Sequence, residues 1–148
     1  MKPLHAGYLL CVSAGLATAT AGVLPWAAVT GAGTFTALQL HLYEPLAVTV
    51  GAGVLVAGLA LMRTPWAAMA AMGNALGTIV IALSLHGDLL GALAALGVPL
   101  GNDFHIEGFG MYALVCSGFL SVAAAIVVSV QESPPVPTGK PAESVART

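Results

Sequence analysis

Three of the four His and, counting Asp103 beside the last, four of the six acids of this sequence fall in three short strings: His41-Leu42-Tyr43-Glu44, His86-Gly87-Asp88 and, just after Asp103, His105-Ile106-Glu107. Imidazole and carboxylate suit Zn, Cu, Fe or Ni. His41, His86 and His105 with Glu107 are therefore the candidate metal set, and a transition metal or haem is the one cofactor the chain could take; none is required. The spacing matches no ligand motif, since neither an HExxH helix nor paired CxxC is present. The plainer reading is that His and acids are the polar residues left where Lys and Arg are scarce. Other chemistry is missing too. There is no G-x-S-x-G elbow and no phosphate-binding glycine signature. Neither Cys11 nor Cys116 has a neighbouring cation to activate it, and they are expected at different membrane depths, which leaves both as free thiols. No catalytic residue is assigned, and the chain is expected not to be an enzyme.

The elements that must position these strings follow from composition. Of 148 residues 58% are hydrophobic and 7% charged, with a mean hydropathy of +0.95. Ordinary soluble domains carry about 25% charged residues, so lipid must cover most of this surface. Four Lys and Arg against six acids also leave no basic face for nucleic acid. A bilayer core about 30 Å thick needs roughly 20 apolar residues per helix. Four charge-free runs meet that length: Ala6 to about Val29, Pro45 to Met62, Trp66 to Leu85 and Gly108 to Val130. Lys2, Arg63, Lys140 and Arg147 then share one side of the membrane, which by the positive-inside rule is cytoplasmic. The expected fold is all-α: an integral membrane four-helix bundle with both termini in the cytoplasm. The three His and acid strings come to lie in or beside the outward loops, about Thr30 to Glu44 and His86 to Glu107.

Three further segments need a reading. The stretch Leu89 to Val98 is apolar but half a span long, which predicts a short interfacial helix in the second outward loop. From Gln131 to Thr148 the chain is polar and Pro-rich, and reads as a disordered cytoplasmic tail distinct from the 1–130 membrane domain. Lys2 and the small residues Ala17 to Ala21 also resemble a secretory signal. The apolar run continuing to Pro25-Trp26 favours a retained span.

Helices in lipid associate through small residues that let backbones approach. Span three offers Gly73 and Gly77 in a GxxxG pair, and span four offers Ala113, Ser117, Ser121 and Ala125 on one stripe; these and Asn74 are the expected helix-packing residues. Span two has Gly53 and Ala57, and span one Ala14, Thr18 and Gly22. Asn74 is the one strongly polar side chain in the middle of a span, and its amide must find a partner, with Ser or Thr on a neighbouring span as the candidates. No Asp, Glu, Lys or Arg lies at mid-membrane depth, so no proton relay or charged substrate path is suggested.

The string Ala21-Gly22-Val23-Leu24-Pro25-Trp26, the Arg63-Thr64-Pro65 turn and the opening Gly108-Phe109-Gly110-Met111-Tyr112 resemble small four-span membrane proteins, mostly uncharacterised, of high-GC Gram-positive bacteria and their phages. The resemblance covers the layout from about Leu9 to Val130. It implies a multi-pass bacterial plasma-membrane protein and transfers no functional residue. Three functions are expected from these readings. The first is a non-enzymatic protein acting through contacts with a membrane-protein partner or with its own copies, as an accessory subunit or envelope interaction protein. The second is a phage-type effector, holin-like or an exclusion factor, and the third a metal- or haem-binding protein using the outward His set.

Overall fold

A computed structural model describes residues 6–29, 31–98 and 108–132, apart from the side chain of His86. The elements are α1 (Ala6–Val23), β1 (Pro25–Val29), β2 (Gly33–Thr36), α2 (Tyr43–Leu61), α3 (Trp66–Ala95) and α4 (Phe109–Glu132). Each helix holds a stretch long and apolar enough to cross a bilayer: Ala6–Val23, Tyr43–Leu61, Trp66–Leu85 and Phe109–Gln131. Helices are the form such runs take, because hydrocarbon offers no partner to a free backbone N–H or C=O. The protein is thus a multi-pass membrane protein in contact with lipid. Residues 133–148, the Pro-rich tail, lie outside the described residues.

The fold departs from an all-α bundle at the end of α1. The first span stops at Val23, not near Val29, because Pro25 has no N–H to continue the helix and disfavours helical geometry in the residue before it. Pro25–Val29 instead pairs antiparallel with Gly33–Thr36, with Ala27 opposite Phe35, Val29 opposite Gly33 and an irregularity between Pro25 and Ala27. Gly31 (φ 85°) and Gly33 (φ 97°) supply the left-handed backbone of the connecting turn. The chain then makes a turn closed by His41, also left-handed at φ 58°, through a Leu42 N–H to Ala37 C=O bond of 2.9 Å.

The second departure is in α3. The residues from Leu89 onward are helical, but they continue α3 without a break and do not form a separate interfacial element. At 1.5 Å per residue its 30 residues span about 45 Å, more than a bilayer core. What draws the extra turns out is a partner for their apolar stripe. Leu85, Leu89 and Leu93, one turn apart, are buried with Trp26, Ala27, Val29, Ala37 and Leu40 of the hairpin region. The helix ends where Gly97 takes φ 70°: the Val98 N–H reaches Leu93 C=O and the Gly97 N–H reaches Ala94 C=O, the closing pattern of a Schellman cap.

The tight turn at Met62 to Pro65 closes in the same way, with Arg63 left-handed at φ 54° and Thr64 N–H bonded to Leu59 C=O. Although this turn joins α2 directly to α3, the two helices touch far less than the pairs α1–α2, α1–α4 and α3–α4. Helix α1 lies along both α2 and α4, and α4 along α3. The order around the bundle is therefore α2, α1, α4, α3, with one seam poorly closed. Helices α1 and α2 bring their backbones together, where a Cβ on Gly15 would sit 2.5 Å from Gly53 O. A second core near the termini gathers Tyr8 and Cys11 of α1, Val56 and Ala60 of α2, Ala67 and Ala71 of α3 and Val128 of α4.

Candidate functional site

Two places in this bundle carry polar groups in a defined geometry. The first lies at mid-span around Asn74, the ninth residue of the Trp66–Leu85 stretch. Its side chain is 5% exposed. From Nδ2 it donates to Thr18 Oγ1 of α1 at 2.9 Å and to Ser121 Oγ of α4 at 2.9 Å. The hydroxyl protons of this cluster are already committed. Ser121 donates to Ser117 C=O and Ser117 to Leu114 C=O, each at 2.8 Å, while Thr18 donates to Ala14 C=O or Ser117 Oγ, each at 3.0 Å. Three helices are thereby joined at one level by hydroxyls that bond back to their own helix and accept from the amide. Asn74 Oδ1 is left enclosed without a partner. Such a carbonyl costs about 1–3 kcal/mol.

Beside this cluster is a cleft of about 290 Å³ in the loosely closed seam. Val48, Thr49, Ala52, Leu55 and Val56 of α2 form one wall; Ala70, Gly73, Asn74, Gly77, Thr78 and Ile81 of α3 form the other, and Thr18 reaches in from α1. No charged side chain lines it. Thr49 and Thr78 spend their protons on Pro45 C=O (2.6 Å) and Ala75 C=O (2.8 Å). Gly73 and Gly77 border the cleft on α3, and a Cβ at either would meet nothing within 4 Å. Ser117, Ser121 and Ala125 are buried in the bundle, and Ala113 is half-buried.

The second place is the hairpin end. His41, Leu42, Tyr43, Glu44, Pro45 and Asp88 surround a shallow depression of about 310 Å³, and the rings of His41 and Tyr43 meet edge to face at 5.8 Å. Within the proposed metal set, His41 is exposed here; His105, Glu107 and the side chain of His86 lie outside the described residues. Among the described residues no three His, Cys, Asp or Glu side chains are placed to hold one ion. Cys11 is buried and Cys116 exposed, both free.

The need of Asn74 for hydroxyl partners was legible in the sequence. Thr78, one turn further along α3, and Thr49, on the facing helix, were not singled out, and nothing local in the sequence marks them as cleft residues. No protein-family model, curated protein or solved structure matches this chain. What the chain shows is four helices long and apolar enough to span a membrane, and no family is identified.

Proposed function

We propose that this chain is a non-enzymatic protein of the bacterial plasma membrane, with both termini cytoplasmic, that works through contacts with another membrane protein as an accessory or envelope interaction subunit. The observation that carries this reading is an unused helix face. Ala70, Gly73, Gly77, Val80, Ser84, Gly87 and Gly91 follow one another along α3 at alternating steps of three and four residues, and all are exposed or half-buried. That spacing makes a straight seam for a left-handed crossing, and small residues are what lets a second helix approach closely in lipid. Each glycine costs a helix about 0.8–1.0 kcal/mol relative to alanine. Four of them stand in this face, yet a Cβ at any would touch nothing in the chain itself, so their cost has no return within the monomer.

The test is recovery of the tagged protein from membranes in mild detergent, with Ser84→Leu and Gly87→Leu as a paired variant. A stoichiometric membrane-protein partner that the variant loses, with helicity unchanged, supports the reading. Recovery of the chain alone or of its homo-oligomers overturns the accessory role. Orientation is read separately by reporters placed in the hairpin and after Glu132, the second expected on the cytoplasmic side.

A further inference from the structure

At the hairpin end, the seam between α2 and α3 is topped by two carboxylates, one from each helix. Glu44 stands about three turns from Leu55 along one line of α2, and Asp88 about three turns from Gly77 along one line of α3, where Leu55 and Gly77 face each other across the seam. Glu44 and Asp88 also border a single depression with His41 and Tyr43. Both acids are exposed, and among the described residues neither has a hydrogen bond or an ion pair. Asp88 adjoins Gly87 and lies one turn from Ser84 and Gly91, so it also edges the small-residue stripe of α3.

The counter-charge has no source within the chain. Its Lys and Arg are Lys2, Arg63, Lys140 and Arg147. Arg63 sits in the turn at the opposite end of α2 and α3. Lys2 precedes α1 and Lys140 and Arg147 follow α4, and the start of α1 meets the end of α4 at that same opposite end, where the Gly7 N–H donates to Gln131 Oε1 at 3.2 Å. A second copy in the same orientation brings further acids to this level and no Lys or Arg. A lipid chain has no use for the glycines below, whereas a helix needs them for close approach. A Lys or Arg near the end of a membrane helix can lay its stem on apolar surface and carry its charge out to the interface. We propose that the partner docking on the α3 stripe is a transmembrane helix bearing a Lys or Arg at the level of the hairpin, where its charge sits between Glu44 and Asp88.

This inference rests on the docking reading and adds the chemistry of the partner to it. The experiment is energy transfer between the labelled full chain and a labelled synthetic peptide in phosphatidylcholine vesicles. The peptide is a Leu and Ala helix long enough to span, with glycines at alternating steps of three and four residues, made with Lys at both ends or Gln at both ends so that either direction of insertion presents the same group. Saturable association of the Lys peptide about two- to fivefold tighter than that of the Gln peptide is expected, the worth of an exposed ion pair, and the advantage should shrink as salt is raised. Glu44→Gln combined with Asp88→Asn should erase it, while Ser84→Leu with Gly87→Leu should weaken both peptides alike. Equal binding of the two peptides, weakened by the stripe variant, overturns the inference and leaves the docking reading standing. An advantage that survives the loss of both carboxylates overturns it as well, as does the absence of saturable association by either peptide, and the docking reading is then decided by its own recovery experiment. An advantage that disappears when phosphatidylethanolamine is mixed into the vesicles assigns the carboxylates to a lipid amine and likewise overturns the inference.

Discussion

Gly15 of α1 and Gly53 of α2 stand so close that a Cβ on either would lie 2.5 Å from the carbonyl oxygen of the other. Backbone cannot yield there as a flexible side chain would, so the two helices must part to admit even one methyl. Gly15→Ala and Gly53→Ala should each destabilise the bundle by about 1–3 kcal/mol, the usual range for overpacking. Gly73→Ala and Gly77→Ala meet open space and should be neutral, or stabilise by up to about 1 kcal/mol through helix propensity. Unfolding in mixed micelles across the four variants checks the contrast. A large loss at Gly73 would mean that the α2–α3 seam is tightly closed.

The Asn74 cluster should be worth less than its burial suggests. Side-chain hydrogen bonds between membrane helices average about 0.6 kcal/mol, and the alanine variant removes the orphaned carbonyl together with two donated bonds. Asn74→Ala is expected to cost about 1 kcal/mol, and Ser121→Ala somewhat less. A double-mutant cycle on the pair should return a coupling near 0.6 kcal/mol. Zero coupling would remove the bond between them.

The two tryptophans occupy opposite environments. Trp26 is fully buried, donates from Nε1 to Ala21 C=O at 2.8 Å and packs against Gly108 and Gly110, whereas Trp66 is 62% exposed on a lipid-facing surface. Brominated lipids should quench the fluorescence of the Trp26→Phe variant, which reports Trp66, far more than that of Trp66→Phe. Trp26→Ala should cost about 3–5 kcal/mol and loosen the hairpin from α4, because the indole packs against Gly110, while the backbone bond from Gly108 N–H to the residue 26 C=O is kept. Equal quenching of both single-Trp proteins would place Trp26 outside the core.

His41 holds a left-handed backbone that glycine adopts without strain, and its side chain is exposed. His41→Gly is therefore expected to stabilise the hairpin end by about 1 kcal/mol, read as a raised Tm. Destabilisation would show that the imidazole contributes a contact that outweighs the backbone strain.

Much of this architecture was written locally in the chain. Hydropathy alone marks the spans, and the expected Trp66 to Leu85 run coincides with the apolar stretch of α3, while the second and fourth runs agree within a few residues. Length and charge are local properties, and lipid imposes helix on any run that satisfies them. The demand of Asn74 for partners was equally local, since it follows from one amide in hydrocarbon.

Only the tertiary structure decided how the apolar residues were divided between lipid and protein. Pro25 to Val29 is as apolar as the span before it, and Leu89 to Ala95 as apolar as a re-entrant segment. Each finds its partner in the other, through a hairpin packed on Leu85, Leu89 and Leu93. Gly73 and Gly77 have the same motif chemistry as Gly15 and Gly53, yet one pair borders an open cleft and the other brings two backbones together. A soluble helix announces its inner face by polarity. A membrane helix is apolar all round, so which small residues turn inward, and which hydroxyls meet Asn74, is settled by packing between distant segments, where sequence carries no periodic signal.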